Sequence, residues 1–249
     1  MERIENSQLA VNMLAYEAVI DKATSQANFF NEIKAAGITK IEVRREYIHS
    51  EKDFTTIQRE ASELGIELFY AVPEILFEDK LLPLNQLEGY FKEAQLLGAK
   101  QVKFTAGYAA DVPLEEIESL RQLLDTYEIE NLTLENGQDP TFAKADTFYS
   151  FIQELKGKSL PVSVTFDTGN CLYVDEDPLA SFTVLEEEIS YIHLKDVSKL
   201  TLSPTLNGEG DVPTKEILTR VPVTVNVAIE YPLGEHPTET LKKEIVKIS

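Results

Sequence analysis

Short runs of β-type residues alternate along this chain with stretches whose apolar positions recur at helical spacing. Strands are predicted at 9–14, 40–44, 67–72, 101–105, 131–135, 162–167, 190–193 and 224–230. Behind Pro113, the residues Leu114, Ile117, Leu120, Leu124 and Tyr127 trace one buried stripe, and Phe148, Ile152 and Leu155 repeat it in the next unit. A last helix begins near Pro237 and carries Leu241, Ile245 and Ile248. Positions at or near successive strand ends, 103, 135, 167, 193 and 230, are separated by 32, 32, 26 and 37 residues, the size of a β–α–β unit. Eight strands, each followed by a helix, predict a (β/α)8 TIM barrel occupying residues 1–249 as one domain. The early units are less regular than the later ones, which leaves a doubly wound sheet as the alternative.

Alternation within the strands carries more information than their number. Leu132 and Leu134 share one face of their strand, Thr133 and Glu135 the other. Val162, Val164 and Phe166 oppose Ser163, Thr165 and Asp167; Ile192 and Leu194 oppose Tyr191 and His193; Val225, Val227 and Ile229 oppose Asn226, Ala228 and Glu230. Ile41 and Val43 oppose Glu42 and Arg44, and Val102 and Phe104 oppose Lys103 and Thr105. An apolar face is expected beneath covering helices, so the polar set faces the barrel interior. The first and third strands do not disclose their register.

The polar face ends in a ligand-type residue at four strand ends, where barrel enzymes place their sites. Glu135, Asp167 and Glu230 would repel one another if they converged unaided, and a divalent cation removes that conflict. With His193 as the one nitrogen donor, the set suits Mn²⁺, Zn²⁺, Co²⁺ or Mg²⁺, with Mn²⁺ preferred. Taken singly, each has a plainer reading: a surface carboxylate, a helix cap or a hydrogen-bonded core histidine. Four in the inward register at successive strand ends favour one metal ion.

Composition narrows the class. The formal net charge is −20, which disfavours nucleic acid as a partner. A single cysteine, Cys171, excludes an intrachain disulfide framework and a Cys-based zinc site. Neither an apolar run of membrane-spanning length nor a leader pattern appears, so no membrane association and a cytoplasmic location are expected. A homo-oligomer is compatible with everything above.

The segments LTLEN (132–136), VTFDTGN (164–170), YIHLKD (191–196), LNGEGD (206–211) and VAIEYP (227–232) resemble, in order and spacing, the xylose isomerase-like barrel superfamily. Within it they are most similar to the sugar phosphate isomerase/epimerase group, and IEVRREY (41–47) and ELFYAVPE (67–74) extend the resemblance forward. The resemblance implies that Glu135, Asp167, His193 and Glu230 are the metal ligands and that Glu135 and Glu230 also act as acid and base. It implies a small sugar or sugar phosphate as substrate, and isomerisation or epimerisation by proton transfer beside a metal-chelated carbonyl. Three positions depart from the pattern: Asn170 stands where many relatives have a histidine, and Lys199 and Thr141 stand where the epimerase branch has an arginine and a glutamate. A dehydratase of a keto-polyol, or a barrel that binds metal and sugar without turnover, are the alternatives. A trinuclear-zinc endonuclease of the same superfamily needs more histidines than His49, His193 and His236.

Candidate substrate contacts are Arg44, Lys103, Asn170, Lys195 and Lys199. For the cations the plainer reading is solvated charge or a core ion pair such as Glu42–Arg44. Gly208 and Gly210 predict a tight loop over the barrel mouth, which would suit a phosphate.

Overall fold

The computed structural model describes residues 4–21 and 23–249. Among these residues there are ten strands: β1 (Leu9–Asn12), β2 (Lys40–Arg44), β3 (Glu67–Phe77), β4 (Gln101–Gly107), β5 (Asn131–Glu135), β6 (Val162–Asp167), β7 (Ile189–Leu194), β8 (Asp196–Ser198), β9 (Ser203–Thr205) and β10 (Asn226–Ile229). Eight of them close into a barrel in the order β1-β10-β7-β6-β5-β4-β3-β2, every neighbouring pair parallel. The (β/α)8 expectation holds and the doubly wound alternative falls. Helices lie between the strands: α1 (Phe30–Ala35), α2 (Glu51–Leu64), α3 (Leu84–Leu97), α4 (Leu114–Thr126), α5 (Ala145–Gly157), α6 (Asn170–Tyr173), α7 (Pro178–Leu185), α8 (Thr214–Leu218) and α9 (Pro237–Ile248).

The apolar strand face packs outward into one cluster with the helix stripes, as Ile41, Val102, Leu134, Phe166, Ile192 and Ile229 illustrate. The stripe of α4 buries Ile117, Leu120 and Leu124 against it. The structure also resolves the two open registers. In β1, Leu9 and Val11 face out while Ala10 and Asn12 face in. In β3, Leu68, Tyr70 and Val72 face out and Phe69 faces in.

The barrel interior is layered. A floor of polar residues is cross-linked, with Ser163 donating to Asn131 (2.7 Å) and Asn131 to Gln101 (2.8 Å). Above it Ala10, Phe69, Tyr191 and Ala228 form a small apolar plug, beside a Thr165–Thr133 hydrogen bond of 2.7 Å. The charged residues lie above the plug, at the C-terminal end of the strands.

Five strands differ from their expected bounds: β4 runs on to Gly107, β7 is longer by one residue at each end, β10 covers only Asn226–Ile229, and β1 and β3 differ as follows. β1 stops at Asn12, because its side chain turns back to accept from the Leu14 N–H (2.9 Å) and caps a 3-10 turn. β3 runs on to Phe77 past a register shift between Ala71 and Ile75. The connection from β7 to β10 holds an antiparallel hairpin, β8–β9, that hydrophobic periodicity did not disclose.

Candidate metal centre

Strand ends bring four groups together. Glu135 ends β5, Asp167 ends β6, His193 lies one residue before the end of β7, and Glu230 follows β10. Ladder register places Asp167 beside His193 and His193 beside Ala228, so the donors come from adjacent strands. One donor atom from each of the four lies within 4.8 Å of the others, and all four residues are buried.

His193 orients the cluster. Its Nε2 is 2.8 Å from Glu42 Oε2, and its Nδ1 is 2.9 Å from Glu135 Oε1 and 3.3 Å from Glu230 Oε1. When Glu42 accepts the Nε2–H, the lone pair of a neutral imidazole points from Nδ1 into the carboxylates, the arrangement by which an outer carboxylate fixes a metal-ligating histidine. Asn12 holds Glu42 in place, donating to it (2.7 Å) and lying 3.2 Å from Glu230 Oε1. The expected Glu42–Arg44 pair does not form. Both side chains point inward, but Glu42 meets the imidazole, and Arg44 reaches Glu230 Oε1 (2.9 Å) and Glu46 Oε1.

Burial would lower the His193 pKa, but Glu230, Glu42 and Glu135 outweigh it and hold the imidazole well above its ordinary value. Burial raises Glu135, yet the Lys103 ammonium at 2.7 Å and His193 bring it down to about 2. Asp167 is pushed up to about 7, by burial first, against the pull of Lys195. Five carboxylates (Glu42, Glu46, Glu135, Asp167, Glu230) face three permanent cations (Arg44, Lys103, Lys195). With His193 protonated the excess is one negative charge; a divalent ion that displaced that proton would face two and cancel them. Glu230 Oε2 is buried without a well-aligned donor, although Lys195 Nζ lies 3.0 Å away. An under-satisfied oxygen, a directed imidazole and a double negative charge together fit a divalent cation.

The other expected site residues divide. Arg44 and Lys195 belong to the centre, with 12% and 10% of their side chains exposed toward the mouth. Lys103 is buried beneath it as the partner of Glu135. Asn170 is buried with both ends of its amide engaged: it donates to Asn136 O (2.9 Å) and accepts from Gln138 (3.0 Å). Lys199 lies on the exposed turn between β8 and β9, and among the described residues its ammonium pairs with no carboxylate. The phosphate expectation for the 206–211 loop meets an obstacle. Gly208 and Gly210 both donate their N–H to Asp196 Oδ2 at 2.9 Å, which takes those amides out of reach of an anion.

Glu42, Asn12 and Asp196 escaped notice as site-building residues. Glu42 had a signal, its inward register; Asn12 sat in a strand whose register was open. Glu42→Ala is expected to weaken Mn²⁺ binding about 10- to 100-fold, as loss of such an outer partner does. Titration calorimetry would show it, and unchanged affinity would remove Glu42 from the centre.

A closed parallel barrel with a buried carboxylate–imidazole cluster at the C-terminal mouth defines a TIM barrel with a candidate metal site. A family model described as xylose isomerase-like TIM barrel matches residues 30–245, and the chain belongs to that family. A search of curated proteins finds no significant match. Among solved structures, the chain is similar to the "probable 3-DHS dehydratase AsbF" of petrobactin synthesis in Bacillus anthracis, at 15% identity and a TM-score of 0.72, covering 96% of this chain and 97% of that one. It is also similar to an L-ribulose 3-epimerase (14% identity, TM-score 0.69, 96% and 86% covered). A D-psicose 3-epimerase from Clostridium cellulolyticum matches at 12% identity and a TM-score of 0.66, with 95% of each chain covered. At these identities the likeness is one of fold. Among the described residues no helix is long and apolar enough to cross a membrane.

Proposed function

We propose that this protein is a metal-dependent isomerase or epimerase of a small sugar, working by proton transfer at a carbon beside a carbonyl. The observation that carries the reading is the convergence of Glu135, Asp167, His193 and Glu230 on one buried point at the barrel mouth. These residues would hold one divalent ion, for which Mn²⁺ is our preference. When bound, such an ion supplies a Lewis acid that polarises the carbonyl and spreads the charge left by the departing proton.

The chain's own residues supply the rest. Glu135 and Glu230 approach His193 Nδ1 from different strands. One carboxylate takes the proton from the substrate carbon and the other returns it, which inverts or relocates the stereocentre. Arg44 and Lys195, at the rim of the centre, donate to substrate hydroxyls. The engaged amides of Gly208 and Gly210 favour an unphosphorylated sugar over a sugar phosphate.

A panel of ketoses in deuterated water, with Mn²⁺ added, tests the reading. Metal-dependent deuterium uptake at the carbon beside the carbonyl is expected. Loss of water with new ultraviolet absorbance would make the protein a dehydratase. Sugar binding with neither exchange nor product would make it a non-catalytic barrel.

A further inference from the structure

Two lysines touch the proposed ligands, and they do so differently. Lys103 holds Glu135 Oε2 and leaves Oε1 facing His193 Nδ1, so it needs no displacement when a metal arrives. Lys195 stands elsewhere. Its Nζ lies 2.5 Å from Asp167 Oδ2 and 3.0 Å from Glu230 Oε2, bridging two of the four groups as a cation between them would. Asp167 has no second oxygen to offer. Its Oδ1 already accepts from the N–H of Gly169 (2.8 Å) and of Asn170 (3.0 Å). The only Asp167 oxygen available to a metal is therefore the one that Lys195 holds.

We propose that Lys195 and the divalent ion compete for the same two carboxylates, so that Lys195 sets how tightly the site takes up metal and moves toward the barrel mouth when the ion enters. The inference rests on the metal centre proposed above. The backbone of Lys195 is fixed, since its N–H donates to Thr168 Oγ1 (2.9 Å) and its carbonyl accepts from the same hydroxyl (2.8 Å). Only the side chain is free to move. Its stem runs against Gly169, where an added Cβ would meet Lys195 Cγ at 2.8 Å and Cδ at 2.9 Å. A side chain at 169 would take the space the stem occupies, and 10% of the Lys195 side chain is exposed. The contact with Glu230 Oε2 is close but poorly aligned, the weaker of the two bonds that metal entry breaks. Once released, the ammonium stands beside the open face of the centre as a donor to a substrate oxygen. Lysine suits this duty, because its charge is compact and sits on a flexible stem.

The test titrates Mn²⁺ into metal-free wild type and Lys195→Met by calorimetry. Lys195→Met is expected to bind Mn²⁺ about tenfold tighter or more, a change of about 1.4 kcal/mol. It removes both the competitor in the free site and a positive charge beside the bound ion. Equal or weaker binding by a folded Lys195→Met protein overturns the competition and leaves the metal centre standing. Failure of both proteins to bind Mn²⁺ or Zn²⁺ overturns the centre itself, and the competition with it. A crystal structure of wild type soaked in Mn²⁺ gives an independent reading. Lys195 Nζ should then have left Asp167 Oδ2, and an intact Lys195–Asp167 contact beside a bound ion overturns the proposal without recourse to the variant.

Discussion

Glu230→Gln is expected to lower kcat by about 10²- to 10⁴-fold, the usual worth of a positioned acid or base, while the protein keeps about one Mn²⁺ per chain. The substitution is nearly isosteric. Its amide oxygen can still accept from Arg44 and Asn12, which now reach Glu230 Oε1 at 2.9 and 3.2 Å. What disappears is the negative charge and the capacity to carry a proton. Glu230 is 2% exposed, and its backbone N–H is tied to Leu194 O at 3.1 Å, so the side chain has little freedom to compensate. The amide nitrogen would lie toward Lys195, where a carboxylate oxygen now lies 3.0 Å from the ammonium, and some metal affinity should be lost as well. A fall confined to kcat marks an interaction made in the transition state, whereas a rise in KM alone marks plain binding. Steady-state kinetics on the sugar that exchanges deuterium, with metal analysis of the same sample, separates the two. A kcat within threefold of wild type would remove Glu230 from proton transfer.

How much of this was legible in the sequence depends on polarity contrast. In β5, β6, β7 and β10, apolar and polar residues alternate cleanly, and the structure places the apolar set outside and the ligand-type residues inside. β1 offers Leu9, Ala10, Val11 and Asn12, where only the last residue is polar; register there came from pairing with β10 and β2. β3 carries Phe69 inward and Tyr70 outward, two large aromatics whose faces only the packed barrel distinguishes. Partner choice was less legible still. Glu42 and Arg44 share a face two residues apart, which suggests a pair, yet they occupy different depths of the barrel. Glu42 sits level with His193 Nε2, and Arg44 reaches the rim where Glu230 leaves β10. The short β8–β9 hairpin buries a single apolar side chain, Val197, too few for a periodic signal. The 206–212 loop that follows it is held by hydrogen bonds to one carboxylate that the strand pattern does not single out.

That carboxylate, Asp196, is the second position where a single change should have a large effect, this time on stability. It is fully buried and accepts four backbone N–H groups: Val197 (2.9 Å) and Val212 (3.0 Å) on Oδ1, Gly208 and Gly210 (2.9 Å each) on Oδ2. The side chain thereby fastens the 206–212 loop to β8, the strand that follows His193. Gly210 comes so close that a Cβ there would stand 2.3 Å from Asp196 Oδ1, so Gly210→Ala should show a milder form of the same defect. Asp196→Ala removes both acceptor oxygens and with them all four bonds. Hydrogen bonds to a charged group contribute roughly 1.5–3 kcal/mol each, but the freed glycine amides are partly able to reach water. The expected loss is therefore below the sum, about 3–5 kcal/mol, in the range reserved for breaking a buried network. For a domain of this size that lowers Tm by about 6–20 °C. Calorimetric melting of wild type and Asp196→Ala measures it, and a Tm within 2 °C would show that the loop holds itself. The proposed metal ligands Glu135, Asp167 and His193 stand on β5, β6 and β7, none of which carries the bonds removed. The variant should still take up one Mn²⁺ per chain when cool, with the loss falling on melting and on sugar binding at the mouth.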